Sequence, residues 1–487
     1  MLNLCEKTLP QIEGVEKPTY NRAEIKAGII HFGVGGFHRA HQAVYMDDLL
    51  NMGETEWGIC GIGVMGADKK MHQILQSQDY LYSLTIKHPD GHYDTRVIGS
   101  IIDYLYAPDN PEAVISKIAH KDTKIISLTI TEGGYNFNQI TEEFDLKNPS
   151  IIHDLHSDTP KTVFGLIIKG LEERKKIGLA AITIQSCDNI QGNGDMSKKM
   201  FTAFAAAKNP ELATWIKENV YFPNSMVDRI TPVTTKSDIE WLEENRGYSD
   251  GWPVVTEDFS QWVVEDHFCH GRPPYEKLPI EVVDDVLPYE LMKLRLLNAS
   301  HQALAYFGYL SGYRYAHEVC HDEYFVRFLQ NFMHIESEPT LLSLPDVDLA
   351  LYQKTLIERF ANPEIADHLA RLCLEGSDRI PKWLVPITWE QLQKNDPQIK
   401  RCAAVIASWT RYMEGIDEKG EPIDINDRLK ERLMELASQT RTNNDIFISQ
   451  EDLFGKLVYN ELFMQHYRTA LNKIYEQGAY ATMKEYI

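Results

Sequence analysis

The chain has 487 residues, too many for one ordinary hydrophobic core, so two or three domains are expected. Hydrophobic residues make up 43% and charged residues 25%, the balance of a soluble globular protein, and the net charge of −22 argues against nucleic acid or an anionic membrane as partner. Seven cysteines, an odd number with no CxxC pair, argue against a disulfide framework and fit a reducing, cytoplasmic setting.

The N-terminus has no basic region followed by an apolar run, so no signal peptide is expected. No run of about 18 apolar residues exists to span a membrane. Residues 28–32, GIIHF, read as a buried parallel strand. The strand leads into Gly33-Val34-Gly35-Gly36-Phe37-His38-Arg39, and a helix is expected over about 39–50. Strand, glycine turn and helix open a dinucleotide-binding unit, in which glycines let the backbone approach a pyrophosphate. The third glycine of GxGxxG is His38 here, so the stretch taken alone also fits a plain tight turn. A second strand over 57–64 is followed by Asp68, placed either to accept from an adenosine ribose or to cap a helix. Residues 80–101 alternate about Pro89-Asp90-Gly91 as a β-hairpin.

A helix over 111–120 and a strand over 124–130 follow, the strand ending in a loop, Thr131-Glu132-Gly133-Gly134-Tyr135. Another helix is expected over 162–176. A strand over 179–185 ends in Ser186-Cys187-Asp188-Asn189. Ligands of open α/β sheets gather at such strand ends, although ordinary turn chemistry explains each loop equally well. From about residue 210 the alternation becomes irregular, and Val227-Asp228-Arg229-Ile230 reads as a short strand with a buried polar pair. Beyond residue 285 the pattern is helical, over 288–313, 321–335, 348–360, 364–375, 387–416, 426–439 and 455–477. The expected organisation is a Rossmann-like α/β domain with a hairpin insertion over 1–285 and an all-α domain over 286–487.

The 288–313 segment reads as one uniform helix with Glu290, Lys293, Asn298 and His301 on less than half of its surface. These four are a solvated stripe, a buried polar seam or part of an active site. Two stretches resemble metal sites. His317-Glu318-Val319-Cys320-His321 matches HExxH but has no third ligand at a recognisable spacing. Glu265-Asp266-His267-Phe268-Cys269-His270 reads better as a polar strand end, since adjacent residues cannot all face one ion.

The segments GVGGFHRAHQ, TITEGGY, SCDN, VDRITP and KLRLLNASH stand in this order and spacing. In them the sequence resembles the polyol-specific long-chain dehydrogenases, the mannitol dehydrogenase family, over nearly the whole chain. The resemblance implies a site in a cleft between the two domains and NAD-dependent oxidation of a sugar alcohol to a ketose without a metal. D-Mannitol and D-fructose are the first expectation, D-mannonate and D-fructuronate or a pentitol pair the alternative. It implies Lys293 as general acid/base, Asn189 and Asn298 as holders of the substrate oxygen, and His301 orienting a neighbouring hydroxyl. Glu290 would gate a proton path, and Asp228 and Arg371 would contact the polyol chain. NAD would lie on Gly33, Val34, Gly35, Gly36, Phe37, His38, Arg39, Asp68, Thr131 and Glu132. Asp68 favours NAD over NADP because a carboxylate repels a 2′-phosphate. Small-molecule substrates, no nucleic acid, no membrane and a monomer or small homo-oligomer complete the expectation. A lysine serves as a base near neutral pH only if burial brings it well below its usual pKa of about 10.4. A binding protein on a degenerate Rossmann fold and a zinc hydrolase are the competing classes.

Overall fold

The computed structural model describes residues 1–138 and 143–487. The chain forms two compact units, Met1–Leu287 and Pro288–Ile487. The strands of three or more residues in the first unit are β1 (Ile29–Phe32), β2 (Ile59–Gly63), β3 (Tyr82–Lys87), β4 (Tyr93–Ile98), β5 (Ile101–Tyr106) and β6 (Ile125–Leu128). They continue with β7 (Thr183–Ser186), β8 (Ser225–Asp228), β9 (Val254–Thr256), β10 (Gln261–Glu265) and β11 (Glu281–Val283).

Five of them form a parallel sheet in the order β7-β6-β1-β2-β5. Alternate residues enter opposite cores. Ile29, Ile59 and Ile125 pack on one face, and Ile30, Cys60 and Ile126 on the other. With both faces covered, the central strands β1, β2 and β6 are mostly apolar, which is why they are legible in the sequence. The strand order reverses between β1 and β6, the switch point at which such sheets bind ligands beyond their carboxyl ends. Both the glycine loop and the Thr131 loop leave the sheet there.

The helices of this unit are α1 (Gly36–Ala40), α2 (Gln42–Asn51), α3 (Asp68–Ser77), α4 (Pro111–Ile118) and α5 (Thr131–Gly134). Then come α6 (Pro149–His156), α7 (Val163–Lys176), α8 (Asn193–Lys208), α9 (Pro210–Asn219) and α10 (Lys236–Arg246). The single helix expected over 39–50 starts earlier, at Gly36, and is broken at His41, whose φ and ψ are −122° and −95°. At that break His41 Nε2 donates to the Gln261 carbonyl at 3.0 Å. The expected Thr131–Tyr135 loop is instead a single helical turn, α5. The hairpin forms as β3 and β4, but β9 pairs with β3 to make a separate three-stranded sheet, and β8, β10 and β11 make another. These pairings, distant in sequence, account for the irregular pattern after residue 210.

Among its described residues the second unit is helical, with two isolated bridges. Its helices are α11 (Leu287–Met292), α12 (Ala299–Leu310), α13 (Ala316–Cys320), α14 (Glu323–Asn331), α15 (Leu349–Phe360), α16 (Leu369–Leu372) and α17 (Gly376–Leu392). The remainder are α18 (Lys400–Tyr412), α19 (Lys430–Ser438), α20 (Asp445–Ile448), α21 (Glu451–Phe454), α22 (Glu461–Gln477) and α23 (Ala479–Lys484). Every residue of α18 from Arg401 to Tyr412 is buried, as expected of a helix around which the others pack. Two expectations are corrected. The 387–416 pattern is α17 and α18 with a break over 393–399, and α17 runs back to Gly376 through Pro381 and Pro386. The 364–375 pattern gives only the single turn α16. Among the described residues no helix is long and apolar enough to cross a membrane.

Candidate active site

The glycines of the loop after β1 differ in what they are for. Gly33 has φ +92°, and a Cβ there would lie 2.1 Å from the Thr129 carbonyl oxygen, so the fold itself requires glycine. Gly35 and Gly36 are not so confined: a Cβ would meet nothing nearer than 3.8 Å and 3.5 Å respectively. Two missing side chains at the start of α1 therefore leave a cradle of main chain, which fits the close approach of a dinucleotide pyrophosphate. Val34 and His38 are buried in this loop, and Phe37 stacks on His41 with ring centroids 4.9 Å apart.

His38, in the third-glycine position, stacks on His31 with ring centroids 3.4 Å apart and planes 11° from parallel. Burial pushes His31 down to about 3 and His38 well below its ordinary value, so both rings are neutral. The Arg39 guanidinium is turned into the fold: it donates to the Trp252 carbonyl and lies over the Tyr82 ring.

Asp68 opens α3 but is not the helix cap that its position after the second strand allows. Its Oδ2 accepts from the Val64 and Met65 amides, both at 2.8 Å, and so closes the turn out of β2. The neighbouring lysines are drawn elsewhere. Lys69 Nζ is 3.5 Å from Asp109 and lies over Tyr106, and Lys70 Nζ lies over Trp252.

Asp188, at the end of β7, ties that strand end to the loop after β6. Its Oδ1 accepts from the Thr131 amide at 2.7 Å, and its Oδ2 from Ile130 N–H at 3.1 Å and Tyr135 Oη at 2.8 Å. It thereby holds Thr131 at φ +62°, a left-handed conformation that a β-branched residue adopts only under external constraint. Burial raises the Asp188 carboxyl, opposed by these donors. Glu132 and Asn189 flank this junction and are exposed. Asp228 is buried at the end of β8 beside Arg229, whose guanidinium donates to the Ala40 and Glu257 carbonyls.

In the second unit the polar residues of 288–313 form a buried seam, not a solvated stripe. Glu290, Lys293 and Asn298 are 6%, 7% and 4% exposed. Asn298 Oδ1 and His301 Nε2 are shut off from solvent and lack a partner within the protein, as atoms awaiting a ligand would be. Burial pushes His301 down to about 3, with Asp367 opposing and Arg371, Arg359 and Arg379 adding to the effect. His301 packs against Phe360, ring centroids 4.6 Å apart. Arg371 is held by Asp367 through two hydrogen bonds. The segment is not one uniform helix. Between α11 and α12, Lys293–Asn298 is a wider π turn, a correction to the angular positions expected from α geometry.

The HExxH residues have other partners. Glu318 Oε2 accepts from the Arg314 and Tyr315 amides at the start of α13, and His321 Nδ1 donates to the His317 carbonyl at 2.6 Å. Among the described residues no three His, Cys, Asp or Glu side chains converge as a metal-ligand set. Glu265 ends β10 as a polar strand end and accepts from the Asn224 amide at 2.8 Å.

A parallel sheet with its loops at a switch point, followed by a helical unit with a buried lysine–amide–imidazole seam, defines a two-domain protein of the Rossmann class. Residues 27–277 match the Mannitol dehydrogenase Rossmann domain and residues 285–475 the Mannitol dehydrogenase C-terminal domain. The chain belongs to the mannitol dehydrogenase family. It is 45% identical to a mannitol 2-dehydrogenase of Aspergillus fumigatus, with 100% of this chain and 99% of that protein covered. Among solved structures, Pseudomonas fluorescens mannitol 2-dehydrogenase in ternary complex with NAD and D-mannitol matches with a TM-score of 0.89 and 42% identity, over 99% of each chain. A substrate-free D-sorbitol dehydrogenase matches with a TM-score of 0.92 and 36% identity, covering 99% of this chain and 100% of that one.

Proposed function

We propose that this chain is an NAD-dependent polyol dehydrogenase and that its reaction is the metal-independent interconversion of D-mannitol and D-fructose. The observation that carries the reading is the seam of buried Glu290, Lys293 and Asn298 beside the half-buried His301, with unpartnered polar atoms on Asn298 and His301, in a member of this family. Bound NAD supplies the hydride acceptor. The Gly35–Gly36 cradle would hold its pyrophosphate, with Gly33, Val34, Phe37, His38 and Arg39 shaping that loop and Thr131 and Glu132 at the neighbouring strand end. Asp68, whose Oδ2 closes the turn out of β2, would hold the adenosine ribose. With Lys69 and Lys70 drawn to other groups, the Asp68 charge is left to disfavour a 2′-phosphate.

In the oxidation direction neutral Lys293 Nζ takes the hydroxyl proton as hydride leaves the same carbon. The amides of Asn298 and Asn189 donate to the oxygen as it gains alkoxide character, the task a metal performs in other dehydrogenases. His301, neutral across the working range, hydrogen-bonds an adjacent hydroxyl. Glu290, one helical turn before Lys293, passes the proton towards solvent. Asp228 and Arg371 bind the polyol chain. The engagement of Arg371 by Asp367 favours a neutral polyol over an aldonate, whose carboxylate would need an uncompensated arginine.

Initial rates with NADH against D-fructose, D-xylulose, D-fructuronate and D-tagaturonate, with and without a chelator, test the proposal. D-Fructose should give the highest kcat/KM, and the chelator should have no effect. A kcat/KM for D-fructuronate about a hundredfold above that for D-fructose would replace the substrate assignment.

A further inference from the structure

The turn between the proposed acid/base and the proposed amide donor is the one that departs from α geometry. The Ala299 amide bonds the Leu294 carbonyl, five residues back, whereas a continuous α-helix would send it to Arg295 O. One extra residue is thus looped into the turn. At about 100° per residue, a uniform α-helix would spread Glu290, Lys293, Asn298 and His301 over an arc of about 140°. Absorbing one residue in the wide turn brings the same four within about 80°. The wide turn is what aligns the amide and the imidazole with the lysine.

Such a turn has poorer hydrogen-bond geometry than an α-helix and needs support from outside. Ser337, fully buried, donates from Oγ to Arg295 O at 2.7 Å, the carbonyl whose α-helical donor has been diverted. The Arg295 guanidinium donates to the Thr340 carbonyl and to both oxygens of Glu390, at 2.8 and 2.6 Å. Thr340 Oγ1 donates back to Ser337 O at 2.6 Å. Ser337 itself ends a second wide turn, Phe332–Ser337, and Gln391, next to Glu390 on α17, donates to Glu336 O at 2.6 Å. Hydroxyl, guanidinium and carboxylate therefore grip the Lys293–Asn298 turn from two other segments of the same unit.

We propose that Ser337 and Arg295 are positioning residues for the reaction, holding the helix in the wide turn that sets Asn298 and His301 over Lys293. The proposal rests on the reading of Lys293 as the acid/base. It is tested in the full-length chain with Ser337→Ala, which removes the donor, and Ser337→Thr, which keeps it. Ser337→Ala should lower kcat for D-fructose with NADH on the order of 10–100-fold, the scale of a misplacement of about 1 Å at a reacting centre. It should also move the midpoint of the pH–rate profile and leave NADH affinity unchanged, and Ser337→Thr should restore kcat and midpoint together.

A merely stabilising role would lower the melting temperature while kcat of the folded enzyme stays within about twofold of wild type. That result would overturn the proposal. If Ser337→Ala does not fold, Glu390→Gln loosens the same grip from a side chain that is 44% exposed. A several-fold loss of kcat with a shifted pH midpoint supports the proposal there, and an unchanged kcat and midpoint refutes it. A wild-type chain that turns over none of the four ketoses removes instead the assignment of Lys293, and the proposal with it.

Discussion

The glycine loop after β1 and the helix that carries Lys293 both prepare a place for a ligand, one with main chain and the other with side chains. In the loop the useful feature is what is missing: no Cβ at Gly35 or Gly36, and room where each would stand. The side chains around the loop serve the scaffold. Arg39 donates to the Trp252 carbonyl, Arg229 to Ala40 O, and Asp188 accepts from two amides. In the helix the useful features are buried polar atoms without protein partners, on Asn298 and His301, at and just beyond a turn held open by Ser337. A main-chain site needs only glycine at a few places and tolerates a rigid surrounding. A side-chain site must bury polar groups at a cost and align them by packing.

The contrast is tested most strongly at Lys293. Lys293→Ala should lower kcat by about 10²–10⁴-fold in both directions, the usual contribution of a positioned acid/base. NADH affinity should survive, because the glycine loop belongs to the other unit. In the wild type, oxidation should rise with pH as the lysine loses its proton, and ketone reduction should fall over the same range. His301, pushed down to about 3, contributes nothing to that limb. Turnover by Lys293→Ala of a tenth or more of normal, measured beside NADH affinity and melting temperature, refutes the role.

Within the loop, Gly33→Ala and Gly35→Ala should separate fold from ligand. The first forces a side chain against Thr129 O and should cost stability, visible as a lower melting temperature. The second meets nothing nearer than 3.8 Å and should leave the melting temperature in place while weakening NADH binding about tenfold or more by titration. Equal NADH affinity for Gly35→Ala and wild type would show that the cradle is not used.

Asp68→Asn probes the cofactor more gently, since an amide oxygen can still accept from Val64 and Met65 while the charge is gone. The ratio of kcat/KM for NADP to that for NAD should rise about tenfold. An unchanged ratio would mean that another residue reads the ribose.

The smallest effect concerns acid stability. In the unfolded chain His301 gains a proton near pH 6.5, but in the folded chain it stays neutral down to about 3. The unfolded state therefore binds more protons in that window, and stability contributed by the neutral histidine is present above about 6.5 and lost as pH falls. Compared with His301→Asn, wild type should lose on the order of one or two degrees of melting temperature between pH 7 and 4.5. Parallel Tm–pH curves for the two proteins would contradict this.

Much of the first unit was legible because its signals are local. Each central strand is a short apolar run, the hairpin turns at Pro89-Asp90-Gly91, and Gly33 stands at a positive φ. The region after residue 210 was not legible, because β8 to β11 gain their identity from partners far away in the chain. In the second unit, helix positions emerged from periodicity, but α17 was misplaced because Pro381 and Pro386 read as breaks. The role of Asp188 carries no sequence signal at all, since it lies in where the Thr131 amide happens to be.

The sequence by itself determined which chemistry is available: a glycine loop after a buried strand, and a lysine, an amide and an imidazole spaced along one helix. Residue type and short-range spacing are properties of the chain alone. Only the tertiary structure decided that these groups share a narrow arc. The extra residue in the Lys293–Asn298 turn is accommodated because a hydroxyl from Ser337 and a carboxylate from Glu390 arrive to hold it. A helical period of 3.6 read along the sequence cannot anticipate a turn whose geometry is set by atoms on other helices.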